Sequence, residues 1–471
     1  MSNQKNILRT NPMETEPILK LIAKFAIPCV ISLLVNSLYN IVDQIFIGRG
    51  VGYLGNGATN VVFPITVVAL AFALLIGDGC ASFLSIKLGE NKIDPAAKGV
   101  GNSIVMLAVV GIIFLVIGLL FLNPIITLFG CTDLIRPYAL DYGYIIVIGL
   151  PFMIISTGIN SVIRADGNPQ FAMISMLVGA VLNTILDPIF IFTFGMGVKG
   201  AALATIIGQI GSFALSIAYI KKFKSFKFNM NLFKMDFNIS RTILGFGVSS
   251  FITQISITIV MAVTNNMLTM YGGQSIYGSE IPLTALGIVM KVNQILISIL
   301  VGIAVGAQPI VGYNYGAKNY KRVQDTFLVS MILATIASAV GFIFFYFTPE
   351  FIVNLFGSED TLYMEFAVKC FRIFLLLCVF NGFQTVSGIF FQSLGKPVKS
   401  AIISLSRQVV FLVPAAIILP RFIGVEGVLW AGPIADGLAF VLAFIFIAFE
   451  MNHLTKMHNK HFKNELNSNV S

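Results

Sequence analysis

Residues 25–47 read FAIPCVISLLVNSLYNIVDQIFI, a run of 23 residues with one formal charge, Asp43. At 1.5 Å per residue, a helix of that length crosses a hydrocarbon layer of about 30 Å. Irregular backbone cannot face lipid, so the run reads as a membrane-spanning helix. Asn36, Asn40 and Asp43 follow i, i+4, i+7 spacing with Gln44 beside them. They share one helical face, and that face cannot point at lipid. The stretch predicts both a membrane protein and a polar site within it.

The rest of the chain repeats the pattern. Of 471 residues, 57% are hydrophobic and only 11% charged, against roughly 25% charged in a soluble globular chain. Apolar blocks predict twelve spans, at 25–47, 58–86, 100–122, 141–163, 171–194, 200–220, 243–270, 283–310, 324–347, 366–391, 400–418 and 427–449. The expected fold class is an all-α integral membrane protein. The first block follows about two dozen polar residues without a small-residue cleavage pattern, so a cleaved signal peptide is not expected. The five cysteines have no metal-ligand spacing, and four lie in apolar blocks, where they read as small buried hydrophobes. All three histidines, His453, His458 and His461, fall in the carboxyl tail, which leaves no imidazole for a catalytic triad or zinc site in the body. The reading is a transporter, not an enzyme, with no cofactor and no structural metal.

Charge sets the expected orientation. Twenty-three of the 30 basic residues fall on one side when the connections are numbered alternately, including Lys5, Arg9, Lys87, Lys221, Lys222, Lys318, Lys396 and Arg407. By the positive-inside rule that side is cytoplasmic and holds both termini. This asymmetry accounts for most of the net charge of +9 without nucleic acid. The basic run from Lys221 to Arg241, with Phe223, Phe226, Phe228 and Phe233 interleaved, is expected to lie along anionic headgroups.

Four landmarks recur at a nearly constant displacement. Leu128-Phe129-Gly130 returns as Leu355-Phe356-Gly357, with Thr132-Asp133 answered by Glu359-Asp360, and Gly89 returns as Gly316, each 227 positions on. Gly167-Asn168-Pro169 returns as Gly395-Lys396-Pro397 at 228 and Val198-Lys199-Gly200 as Val425-Glu426-Gly427 at 227. The chain reads as a duplication. Two lobes of six spans each keep the same orientation, so their pseudo-two-fold axis runs along the membrane normal. The expected divisions are a cytoplasmic segment 1–24, a first lobe 25–220, a cytoplasmic connector 221–242, a second lobe 243–449 and a cytoplasmic tail 450–471. No water-soluble module of ATPase size is apparent, and the string Gly312 to Asn319 departs from a phosphate-binding loop in length and in its last residue.

Ionisable residues within spans carry the functional signal, because a bare charge in hydrocarbon costs several kcal/mol. They are Asp43, Asp78, Asp141, Asp187, Asp436, Lys291 and Arg372. Asn183 and Asp187 lie four apart, and Pro188 disturbs the turn before it. Counted from the cytoplasmic ends, Asp43 and Asp187 both lie about 24 to 27 Å deep, and Thr205 enters from the other side to a similar depth. These oxygens suit H⁺ or Na⁺; the alternative is that they satisfy one another as helix-to-helix glue. Asn36, Asn40, Gln44, Asp78, Lys291, Arg372 and Asp436 are candidates for cavity lining or gating; the alternatives are a structural role for Asp78, interhelical pairing for Asp436 and partnering of acids for Lys291 and Arg372.

Five segments resemble the multidrug and toxic compound extrusion family, in particular its bacterial MepA-like branch: LLVNSLYNIVDQIFIGRGVG at 33–52, GDGCASFLSIKLGE at 77–90, NSVIRADGNPQFAM at 160–173, AVLNTILDPIFIF at 180–192 and VGIAVGAQPIVGYNYGAKN at 301–319. The resemblance runs from about residue 20 to 450. It implies alternating access between two lobes and export of amphipathic cationic drugs or dyes against entering H⁺ or Na⁺. It further implies a coupling site at Asp43, Asn183, Asp187 and Thr205, the same residues that would hold Na⁺. Some branches also use acids in spans 7 and 10; span 7 here has none, which favours the first lobe, with H⁺ ahead of Na⁺. Met153 and Met290 are candidates for an adaptable cavity wall. Membrane lipids are expected around a chain that functions as a monomer, with no nucleic-acid partner. The alternatives are a flippase for a lipid-linked saccharide or related anionic lipid, favoured by Lys291 and Arg372, and a channel.

Overall fold

The computed structural model describes residues 12–355 and 361–470. Lys5, Arg9 and the segment Phe356 to Asp360, which carries half of one repeat landmark, lie outside them. The first six helices are α1 (Ile18–Gly50), α2 (Tyr53–Gly89), α3 (Ile93–Leu128), α4 (Arg136–Ala165), α5 (Pro169–Thr193) and α6 (Gly197–Tyr219). The second six are α7 (Phe237–Gly272), α8 (Glu280–Gly316), α9 (Tyr320–Phe347), α10 (Thr361–Phe374 with Cys378–Ser393), α11 (Pro397–Ile423) and α12 (Glu426–Val470). Among the described residues eleven helices are long and apolar enough to cross a membrane, and the two pieces of α10, bent by 46°, make the twelfth. The helices overrun the apolar blocks that announce them; α12 passes Phe449 and continues through the polar tail.

Each lobe buries its own core. One is built from residues between Ile47 and Ile243, the other from residues between Leu268 and Leu454. Outward faces stay apolar: α9 exposes Leu328, Ile332, Ile336, Val340 and Ile343 along one stripe, a surface that only lipid covers. All five cysteines are free and buried.

The lobes meet through glycines. A Cβ on Gly89 would stand 2.0 Å from the Tyr313 carbonyl oxygen, and one on Gly316 would stand 2.1 Å from that of Ile86. Tyr313 follows Ile86 by 227 positions, as Gly316 follows Gly89, so each glycine packs on the other repeat's equivalent of its own neighbour. A second set obeys the same symmetry. Cβ atoms on Gly79 and Gly247 would approach Ile243 and Leu75, and those on Gly306 and Gly302 would approach Ala26 and Val30. Here α7 follows α1 by 217 positions, ten fewer, because the second repeat is longer between its first two helices. The pseudo-two-fold axis is thus written in backbone contacts at the end of the bundle where the connector lies. The amino-terminal turn adds to this closure. The Met13 carbonyl accepts hydrogen bonds from Asn314 at 3.0 Å and Arg322 at 2.9 Å.

The connector's phenylalanines turn inward: Phe223, Phe226 and Phe228 pack on one another at 4.9–5.2 Å and against the first-lobe core. Burying three rings gains more than leaving them at an interface, and Lys221, Lys222, Lys224, Lys227 and Lys234 stay exposed around them. Asp166, at the end of α4, fastens the segment. Its carboxyl accepts from the Tyr219 hydroxyl (2.7 Å), the Lys224 and Ser225 amides (2.8 and 3.0 Å) and the Ser225 hydroxyl (2.6 Å). Burial pushes this carboxyl up from its ordinary range, and the four hydrogen bonds pull it back.

A Cβ on Gly247 would sit 1.7 Å from the Leu75 carbonyl oxygen, whereas one on Gly245 would meet nothing within 4 Å. Gly247→Leu should therefore destabilise the purified protein by about 1–3 kcal/mol through overpacking, seen as a lower thermal midpoint in detergent. Gly245→Leu should leave that midpoint in place.

Candidate functional site

The polar face of α1 meets α5 and α6 inside the first lobe. The carboxyl groups of Asp43 and Asp187 lie within hydrogen-bonding reach of each other. Asp187 is fully buried and Asn183 is 3% exposed. With its amide oxygen toward α6, Asn183 donates to Asp187 Oδ2 at 3.2 Å and accepts from the Thr205 amide at 3.3 Å and hydroxyl at 3.2 Å. One oxygen of Asp43 is buried without a partner. The four residues singled out in the sequence therefore form one cluster. Pro188, which has no N–H to give the helix, is followed by a π turn over Ile189–Thr193, an irregularity of the kind found at functional sites.

Two members of this neighbourhood carry no sequence signal of their own. Tyr142 on α4 is buried within electrostatic range of Asp43, Asp187 and Tyr39. Its neighbour Asp141, the more conspicuous candidate, turns away and pairs with Lys199 at 3.2 Å on an exposed surface. Asp141, at the start of its span, is half-exposed and has a cation beside it.

The second lobe shows what the same place looks like without the acids. Val260 stands 217 positions after Asp43, and Val413 stands 226 after Asp187, as Pro414 does after Pro188. Val260 is buried in a small apolar cluster with Leu412 and Ala435, and Val413 packs against it. A π turn, Ser406–Leu412, again adjoins the proline. The second lobe thus carries valines where the first carries carboxylates.

Asp436 takes the interhelical-pairing alternative, and Arg407 corrects an expectation. Asp436 does not line a cavity: it is 1% exposed, and Arg407 Nε donates to its Oδ1 at 2.7 Å. Arg407 accordingly belongs inside α11 and not with the cytoplasmic basic residues, because a buried acid must be paired. Gln384 donates to the Asp436 carbonyl at 2.8 Å. Arg372 is exposed and points Nε at the Tyr346 carbonyl at 3.4 Å. Met153 and Met290 are partly buried, each packed against the core of its own lobe.

Asp78 occupies the seam. Its carboxylate accepts from Ser161 on α4 at 2.7 Å and from Ser250 on α7 at 2.9 Å, with Arg164 at 3.7 Å. Gln392 on α10 donates to the Ser250 hydroxyl at 3.0 Å. One buried charge thus ties two first-lobe helices to two second-lobe helices near the connector end. Ser161, Arg164, Ser250 and Gln392 carry no local motif that marks them as partners.

Asn36, Asn40 and Gln44 remain on α1, where Asn40 donates to the Asn36 carbonyl at 2.7 Å. Across the seam, Lys291 on α8 is exposed and forms no ion pair among the described residues.

The MatE family pattern matches residues 28–189 and 249–418, one stretch in each lobe. The chain is 28% identical over 447 residues to the multidrug export protein MepA of Staphylococcus haemolyticus (strain JCSC1435), covering 94% of this chain and 96% of that protein. It is 25% identical over 443 residues to MepA of Staphylococcus aureus (strain MRSA252), with the same coverage. Among solved structures, the MATE multidrug transporter DinF-BH, in complex with a dye, is 35% identical, covering 94% of this chain and 98% of that one, at a TM-score of 0.86.

Removing the Asp78 carboxylate should loosen the seam. In a background without the native cysteines, Ser250→Cys should label slowly with maleimide in detergent, and adding Asp78→Ala should speed that labelling at least several-fold. Unchanged labelling would show that the glycine contacts alone hold the seam.

Proposed function

The chain belongs to the MatE family of membrane transporters, and from that membership we propose that it exports amphipathic cationic compounds by alternating access, driven by inward proton movement through Asp43 and Asp187. Multidrug export is supported by the named function of its relatives. The carrying observation is the Asp43–Asp187 contact in the first lobe, set against Val260 and Val413 in the second. Two carboxyl groups bond each other only when one of them donates a proton. When that proton leaves, two like charges face each other in a water-poor site, and the helices carrying them are driven apart. α1 is the mobile partner in this reading, because it packs on α8 of the other lobe through Gly302 and Gly306. Asn183 and Thr205 hold Asp187 in register. Na⁺ would use the same oxygens, but the direct carboxyl–carboxyl contact favours H⁺.

The orientation belongs to the same proposal: both termini and the connector are cytoplasmic. The exposed lysines around the connector support it. In right-side-out cells, an impermeant maleimide should label a single cysteine placed at Gln274 and spare one placed at Lys227.

The coupling test is dye export from sealed vesicles with H⁺ and Na⁺ gradients imposed separately. Asp43→Asn and Asp187→Asn preserve size and hydrogen-bonding capacity but carry no exchangeable carboxyl proton. Each should cut proton-driven export at least tenfold while the purified protein keeps its thermal midpoint. Full export by both variants would overturn the carboxyl mechanism, and export driven by a Na⁺ gradient at fixed pH would replace H⁺ with Na⁺.

A further inference from the structure

From Ile281 to Ala317, α8 exposes only four residues: Thr284, Gly287, Lys291 and Gln294. Their spacing of 3, 4 and 3 puts them on a single face, and Ser298 continues it one turn further. Ser298 is hydrogen bonded to Ser37 of α1 at 2.9 Å, so this face looks across the seam at the first lobe. None of the four is a large apolar residue, in contrast to the aliphatic stripe that α9 turns to lipid.

The facing helix shows the same division. α1 exposes Ile31, Leu38 and Ile45 on one side and Asn40 on the opposite one; Ser37, Asn40 and Gln44 share that second side. The two helices run antiparallel, with Gly306 against Ala26, Gly302 against Val30 and Ser298 bonded to Ser37. Continuing outward by seven residues on each helix brings Lys291 level with Gln44, the neighbour of Asp43. The glycine contacts close this seam at the connector end, and the exposed polar stripes line it beyond Ser37.

An ammonium at this depth costs several kcal/mol unless water or a counter-charge meets it. Lys291 has no anionic partner among the described residues, and its exposed stripe continues the side of α8 on which Ser298 meets Ser37 of the first lobe. We infer that Lys291 is an anion subsite of the transport cleft and takes a carboxylate or similar group borne by the transported molecule. The transported compounds would then include zwitterions, with the cationic end toward the Asp43–Asp187 pair and the anionic end on Lys291. The inference rests on the exporter reading for the use of the cleft, but its chemistry is separately testable.

The test compares two xanthene dyes with one ring system, one esterified and purely cationic, the other bearing a free carboxylate. Binding to purified protein is followed by fluorescence anisotropy, and gradient-driven transport is followed in vesicles. Lys291→Gln should raise the Kd of the carboxylate dye about tenfold, the scale of one charge-assisted hydrogen bond, and change that of the ester less than about twofold. Lys291→Arg should retain the carboxylate dye. An equal shift for both dyes would overturn the inference, because Lys291 would then serve the protein's own acids; so would no shift for either, or no binding of the carboxylate dye to wild type. If wild type transports neither dye yet loses the carboxylate dye on Lys291→Gln, the exporter reading fails and the subsite stands.

Discussion

Backbone-to-backbone contact between the lobes is the constraint on which the rest of the architecture depends. At Gly79, Gly89, Gly247 and Gly316 a single added carbon would fall 1.7–2.1 Å from a backbone oxygen across the seam. Two helices approach this closely only where one of them carries no side chain at the contact. In lipid there is no hydrophobic drive to press helices together, so dispersion contacts and a few hydrogen bonds must hold the seam. The reciprocity of Gly89 with Tyr313 and of Gly316 with Ile86 makes the seam symmetric, and a symmetric seam can rock about its axis.

Asp78 gives that seam a polar latch. It is 9% exposed and reaches both lobes, whereas the Asp43–Asp187 pair lies within one lobe. The seam contact and the first-lobe acid pair are thus built on different carboxylates. The second lobe keeps its own buried pair, Arg407 with Asp436, whose guanidinium neutralises the acid and leaves it no open coordination. At the positions matching Asp43 and Asp187 the second lobe carries valines, Val260 and Val413.

The connector is part of the fold. Asp166 accepts four hydrogen bonds from Tyr219, Lys224 and Ser225, and Asp236 caps α7 through the Asn238 and Ile239 amides. Asn102 reaches the Asp236 carbonyl at 3.2 Å. The start of the second lobe is thus fixed against the first-lobe helix α3.

Sequence by itself determined the membrane class, the twelve spans, the duplication and the cluster of Asp43, Asn183, Asp187 and Thr205. Each rests on a property readable along the chain: the length of an apolar run, a constant displacement, or polar residues on one helical face. Tertiary structure decided the partners. Asp141 and Tyr142 are adjacent in the chain, yet one meets Lys199 on an exposed surface and the other is buried. Arg407 looks like one more basic residue near a span end until Asp436 is brought against it, and Ser250 looks like an ordinary helix serine until Asp78 arrives from 172 positions away. The reason is physical: a helix face is set by residues three and four apart, whereas the group it faces is chosen by how whole helices pack.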